Sequence, residues 1–271
     1  MQENTPEKVT RRVAVILGPG GSSRNLLDVI APLLGKDRAL EMQGVFIEEA
    51  ELRHAAALPF VKELCRVTFS VREFNSDQFE RVLALRMRTA QRALELLARR
   101  AGIAHTFRNV RGSADLQLKE TVGQSDITIF EPAGTLAVSI RSGPSDRLKV
   151  RRIVVYIRDK ETAGAALVAA LQLAAGDPRR ISVVLDPAVR SDQPGLDQKL
   201  RSVFPAPPGR IRMLADSEVS TLTNSVRAEN PGMLVLSANG ESTSPDFLAD
   251  LRKSLRCPIC LVRFWEEKGS G

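Results

Sequence analysis

Three stretches of this 271-residue chain combine residue types and spacing that could do chemistry. The first is Gly18-Pro-Gly-Gly-Ser-Ser23, directly after a β-branched run. Glycines let backbone N–H groups approach phosphate oxygens, and a following helix N-terminus adds its dipole. The stretch lacks the lysine of a Walker loop and the downstream acid of a dinucleotide fingerprint. It fits an ordinary strand-to-helix turn capped by serine. The alternative is a ligand loop at the strand edge where open α/β sheets bind, with Gly18, Gly20, Gly21, Ser22 and Ser23 facing a ligand phosphate.

The second is Cys257-Pro-Ile-Cys260, a spacing shared by redox pairs and half-sites for zinc. Here Pro258–Val262 reads as a buried strand, whose period of two sends the two thiols to opposite faces. With no second C-x-x-C and no histidine nearby, both read as core cysteines. The third is the pair of histidines, His54 and His105, which lie in separate elements without a motif and read as surface or packing residues. No G-x-S-x-G, H-E-x-x-H or paired-carboxylate spacing occurs, so no catalytic residue, no metal ligand and no enzyme activity are expected. Asp186 and Asp216 close strands, where they either orient a ligand or cap turns.

The elements that must position these residues alternate in type. Arg11–Leu17 reads as a strand, Arg24–Leu34 as a helix and Ala39–Ile47 as a strand. A long connection, 48–75, contains the apolar-rich segment HAAALPFVKEL (54–64), which reads as a short packed helix. Ser76–Ala101 has apolar residues at three-to-four spacing and arginines around the other side, with Gly102 as its stop. A strand (105–110), a helix (115–122) and a strand (126–130) follow. The second half repeats the rhythm: strands at 152–157, 180–186, 210–215, 233–237 and 257–263, with helices at 161–175, 195–204, 219–228 and 245–255. Such alternation predicts α/β architecture, two tandem open parallel-sheet domains with helices on both faces. The element order recurs after about 140 residues, as expected of a duplicated domain. The reading divides the chain into a polar tail (1–10), domain 1 (11–148), domain 2 (149–265) and a C-terminal tail (266–271).

Bulk properties narrow the partner. The net charge is +7, which suits an anionic partner. Yet basic residues are spread along the chain, and one Trp and one Tyr are few stacking platforms for nucleic acid, so nucleic acid is disfavoured. The apolar run 163–175 is too short to span a bilayer. The first residues, MQENTPEKVTRR, have no apolar core of a signal peptide. Three cysteines, Cys65, Cys257 and Cys260, fit a reducing compartment, and the expectation is a cytoplasmic protein.

Several stretches resemble the universal stress protein (UspA-like) family. ARRAGIAHTFRNVRGSADLQLKETVGQSDITIF, from Ala98, resembles its helix ending in Ala-x-x-x-Gly, its Val-x-x-Gly strand end and its Asp-initiated strand, with Gly102, Val110, Gly112 and Asp126 at the matching positions. RRIVVYIRDKETAGAALVAALQLA resembles the opening strand and alanine-rich helix, and MLVLSANG and CPICLVR resemble the fourth and closing strands. The resemblance spans residues 10–264 as two copies and implies five-stranded parallel domains of the adenine nucleotide alpha hydrolase-like fold, packed as an intramolecular pseudo-dimer.

Nucleotide-binding members of that family carry Gly-x2-Gly-x9-Gly-Ser/Thr after the fourth strand. Here only Gly240 remains in the second copy, with Asp250 and Leu251 at the far end, so Asp250 would bring a carboxylate toward the phosphates. In the first copy Gly134 and Gly143-Pro-Ser145 stand at the wrong spacing, and the last helix and strand are compressed into about twenty residues. Gly18 stands where such members have an Asp. Arg158-Asp159 occupies the second copy. The resemblance therefore implies degenerate loops, with Gly18, Gly20, Gly21, Ser22, Ser23, Gly112 and Gly134 as the only candidates for an adenine nucleotide. No cofactor is expected, and ATP or AMP is the alternative, held by domain 1 or by a cleft between domains. Function is expected through a protein partner, and the packing of edge strands, especially Ile259–Arg263, joins the halves. A homodimer is compatible with the reading.

Overall fold

The β-branched runs become the inner strands of one sheet, because each is largely apolar on both of its faces. The computed structural model describes residues 11–20, 23–35, 39–58, 60–64, 68–132, 152–238 and 244–263. In the first half these form β1 (Arg11–Leu17), α1 (Ser23–Ile30), β2 (Leu40–Glu49), α2 (Ala50–Ala57), β3 (Lys62–Leu64), β4 (Val71–Glu73), α3 (Ser76–Ala101), β5 (Ala104–Gly112), α4 (Ala114–Gln124) and β6 (Ile127–Phe130). The second half supplies β7 (Ile153–Ile157), α5 (Lys160–Leu173), β8 (Ile181–Leu185), α6 (Gln193–Val203), β9 (Arg210–Met213), α7 (Val219–Glu229), β10 (Met233–Ser237), α8 (Pro245–Ser254) and β11 (Ile259–Val262).

Nine of the described strands form a single sheet in the order β5-β2-β1-β6-β11-β10-β7-β8-β9. Pairing is parallel within each half. The halves meet where β11 runs antiparallel to β6, with Ile259 opposite Phe130 and Val262 opposite Ile127. The edge strand expected to join the halves does so, and the result is one continuous sheet rather than two separate ones. β6 has β1 on one side and β11 on the other, so both of its edges are taken. The expected compression of the first half's last elements falls on residues 133–151, outside the described ones.

Alternate strand residues feed two apolar layers. One face carries α1, α3, α5 and α6, and the other α4, α7 and α8. Each layer contains residues of both halves: Ile129 and Cys260 share the first, Phe130 and Leu261 the second. Coverage on both faces explains why β6, β7, β8, β10 and β11 are buried along their whole length. Gly44 in β2 allows α3 to lie close, since a Cβ there would fall 2.5 Å from Leu94 Cδ1 and 2.8 Å from Phe107 Cδ2.

Local signals set α3 at the predicted bounds. The Asn75 side chain accepts from the Gln78 N–H at 2.8 Å, and Gly102 ends the helix in the left-handed region at φ 67°. Two expectations are corrected. The helix predicted over 24–34 is α1 followed by a 3-10 turn, Ala31–Leu34, because Pro32 at the start of that turn supplies no N–H to continue the α ladder. The helix predicted within 54–64 is present only over 54–57, as the end of α2. α2 lies earlier and stops at Leu58, the residue before Pro59, whose extended backbone is the conformation a following proline favours. Beyond it β3 and β4 form an exposed hairpin. No helix among the described residues is long and apolar enough to cross a membrane.

Candidate functional site

In an open parallel sheet the ligand crevice lies beyond the strand C-termini, where the strand order reverses. Here that happens twice, between β1 and β6 and between β7 and β10. Because β6 and β11 are antiparallel, the two crevices open at opposite ends of the sheet. A cleft shared by both binding edges, one form of the nucleotide alternative, is therefore not formed.

At the first crevice, the chain leaves β1 at Leu17 and passes Gly18, Pro19 and Gly20 before α1 opens at the half-buried Ser23. Gly21, Ser22 and Gly134 lie outside the described residues. A Cβ on Gly18 would meet nothing within 4 Å, so no close backbone approach demands glycine there. Arg86 of α3 donates from Nη1 to the Pro19 carbonyl oxygen. A cation therefore ties down this turn through an acceptor.

β2 runs past its pairing with β1, in which Leu17 stands opposite Phe46, and carries Glu48 and Glu49 to the sheet's rim. Glu48 is buried, 6 % exposed. Its carboxylate accepts from Asn109 Nδ2 at 2.6 Å, Arg53 Nε at 3.0 Å and Arg111 Nε at 3.1 Å. Burial pushes the Glu48 carboxyl up. The Asn109 hydrogen bond and the Arg53 and Arg111 guanidiniums outweigh it and hold the group below the usual carboxylate range. Arg53 also reaches Glu80 at 2.8 Å. Beside this cluster, between α2 and the first turn of α3, is a cleft of about 480 Å³ lined by residues including Ala50, Arg53, His54, Phe79, Glu80 and Arg111.

Gly112 closes β5 opposite Glu49 at φ 152°, a backbone that disfavours other residues. It leads into α4, whose first turn holds Asp115. Arg252, from the last turn of α8, donates to Asp115 at 2.8 Å and to Glu49 at 2.7 Å. The second half thus bridges the rim of the first at the helix N-terminus where an anion would otherwise be drawn.

At the second crevice the acids are occupied. Asp159 caps α5, accepting from the Thr162 N–H and hydroxyl, each at 2.8 Å. Asp186 is fully buried and accepts from the Tyr156 hydroxyl, from Ser217 Oγ at 2.8 Å and from the Ala188 N–H at 2.9 Å. Asp216 accepts from the Glu218 N–H at 3.0 Å. Of the two roles open to Asp186 and Asp216, turn capping is the one observed. The Ser237 hydroxyl donates to the Thr162 carbonyl at 3.1 Å. Lys199 of α6 reaches the carbonyls of Lys160 and Glu161, each at 3.1 Å.

Gly240 lies outside the described residues, but Asp250 and Leu251 sit in the body of α8, the former exposed and the latter in the core. They are not part of a loop, so Asp250 brings no carboxylate to a phosphate site. This corrects the placement that the family spacing implied, and the cause is the helix started by Ser244 and Pro245.

Cys257 and Cys260 lie in opposite apolar layers, as strand period implies. Burial pushes their thiols up to about 11 and about 12, so neither supplies a thiolate for metal or redox chemistry near neutral pH. Among the described residues no cluster of His, Cys, Asp or Glu could hold a metal ion. His54 lies on α2 beside the cleft and His105 on the edge strand β5, both exposed.

Sequence reasoning named the loop glycines and missed Glu48, Asn109, Arg111, Arg252 and Lys199. The one available signal was two adjacent acids at the end of an apolar strand. Besides Arg53, five residues on, their partners named above are 61 and 63 residues away on β5 or in the other half.

Fold and site together define a class: an α/β protein with two parallel half-sheets, each with a rim where a buried acid is held by neighbouring donors. No protein-family model matches the chain, and no curated protein matches it. Similar solved structures include a universal stress protein from Archaeoglobus fulgidus DSM 4304, with 8% identity, 94% of this chain and 97% of that one covered, and a TM-score of 0.46. A structure assigned as a universal stress protein from Pseudomonas aeruginosa UCBPP-PA14 has 8% identity, 94% of each chain covered and a TM-score of 0.40. A functionally unknown protein from Pseudomonas aeruginosa PAO1 has 8% identity, 94% and 93% covered, and a TM-score of 0.38.

Proposed function

We propose that this chain is a universal stress protein-like binding and regulatory module. It is cytoplasmic and non-catalytic, built as an intramolecular pseudo-dimer of one duplicated unit, and it works through contact with another protein rather than by holding a nucleotide. The observation that carries this reading is the engagement of a buried acid at each rim. Glu48 is engaged by Asn109, Arg53 and Arg111, and Asp186 by Tyr156, Ser217 and Ala188. A ligand would have to break these bonds and leave buried groups without partners. Duplication is supported by the strand order, since β5-β2-β1-β6 in the first half mirrors β9-β8-β7-β10 in the second.

A second reading, an ATP- or AMP-binding stress-response regulator using the first half, is favoured by the cleft that Arg53 and Arg111 help to line. One experiment separates the two. The purified protein is denatured and its released small molecules are identified by mass spectrometry, alongside equilibrium dialysis against ATP and AMP. The expected result is no retained nucleotide and no saturable uptake. Stoichiometric ATP or AMP that is lost in Gly20→Trp would overturn the first reading in favour of the second.

A further inference from the structure

We propose that the arm formed by β3 and β4 is a self-association surface, joining two copies of this chain face to face about a two-fold axis. Both three-residue strands are exposed at every position. Large apolar side chains crowd the arm and its flanks: Phe60 is 95% exposed, Phe69 77%, Val71 60%, Leu64 55% and Leu58 51%. With side-chain areas of the usual size these present roughly 600 Å² of apolar surface, at the upper end of what a monomer normally shows. A standard interface buries about 800 Å² per partner, so this patch with a polar rim is of the right size.

Phe60 and Phe69 also hold positive φ, 68° and 55°, a conformation bulky residues rarely adopt. A two-stranded hairpin is marginal in water by itself. This one is anchored at its base, where the Phe74 N–H donates to the Val61 carbonyl at 3.2 Å and the Phe74 and Phe79 rings lie 5.6 Å apart.

The occupant follows from the register. Lys62 stands opposite Glu73, Glu63 opposite Arg72 and Leu64 opposite Val71. Alternation puts Lys62, Leu64, Val71 and Glu73 on one face. The other face is closed by Arg72, which grips Glu63 with two bonds of 2.9 Å. A two-fold axis along the hairpin, lying in the contact plane, lays β3 of one copy over β4 of the second. Each Leu64 then meets Val71 of the second copy and each Lys62 meets its Glu73, so apolar faces apolar and every charge on that face finds its opposite. Such self-complementarity is what an isologous contact requires, and neither a lipid surface nor a nucleic acid explains the paired signs. This contact is separate from the β6–β11 seam and does not depend on the fate of the nucleotide sites.

Sedimentation velocity across a concentration series tests it, with circular dichroism to establish that each variant is folded. The full chain is expected to dimerise. Phe60→Ser with Phe69→Ser should weaken the dimer at least about a hundredfold. Lys62→Glu alone and Glu73→Lys alone should each weaken it about tenfold, and an equimolar mixture of those two should restore it, because the mixed dimer regains both opposite-charge pairs. A wild-type monomer at all accessible concentrations would overturn the proposal. So would a dimer indifferent to both Phe substitutions, a charge-swapped mixture that stays monomeric, or a monomer that instead sediments with phosphatidylserine vesicles. Should the double Phe variant unfold, the charge-swap pair decides.

Discussion

Ile129→Ala is the perturbation that tests whether the two halves are one thermodynamic unit. Ile129 is wholly buried at the centre of β6, where it pairs with Cys260 of β11. Its side chain belongs to the same apolar layer as Val155, Val183, Met233 and Cys260 of the second half. Removing three carbons from such a site leaves a cavity that costs about 3 kcal/mol, within the usual range of about 2–5. At a urea dependence near 3 kcal/mol per molar, the midpoint should fall by on the order of 1 M. The assay is urea unfolding read by hydrogen exchange and mass spectrometry, which reports peptides of each half separately. If the seam makes one cooperative core, β1 and β2 lose protection together with β7 and β8, by the same free energy. Two transitions, or a loss confined to the first half, would refute the reasoning and return the molecule to two independently stable units. The pseudo-dimer would then be an association rather than a fused core.

Two further outcomes follow from the titrating groups. Glu48 titrates below its ordinary value of about 4.5 in the folded protein. Its contribution to stability is therefore fully present above that unfolded-state value and is lost as pH falls through the lower folded value. Glu48→Gln should lower neutral-pH stability by about 2 kcal/mol, with the gap from wild type closing in acid unfolding curves below about pH 4.5. A gap constant with pH would show that geometry rather than charge holds the cluster. Cys257 and Cys260, with thiols raised to about 11 and about 12 by burial, should resist iodoacetamide at pH 8 in a Cys65→Ser background, and both should label once urea unfolds the chain. Fast labelling of either in the native state would contradict its place in the core.

The contrast between α3 and residues 48–75 shows what was legible. For α3 the apolar spacing and the Gly102 stop act over a few residues, so periodicity and an end signal located the helix without knowledge of its neighbours. In 48–75 the apolar content of Leu58, Phe60 and Leu64 was read as burial, whereas these side chains are exposed. Apolar character indicates that a residue gains by leaving water, but not where cover is found. The loop glycines were legible as a turn. Glu48 was not legible as a hub, because Asn109 and Arg111 reach it only across the β2–β5 pairing.

Outside residues 48–75, strand and helix identity, burial of the inner strands on both sheet faces and the opposite placement of Cys257 and Cys260 were determined by the sequence alone, since each depends on local periodicity. Only tertiary structure decided that β11 closes on β6 to make one sheet, that Arg252 bridges the first half's rim, and that Asp186 is bonded to Tyr156, Ser217 and Ala188 rather than open to a ligand. These are pairings between residues distant in the chain. Backbone edges and buried polar groups accept any partner of suitable geometry, and the assembled fold selects which partner arrives.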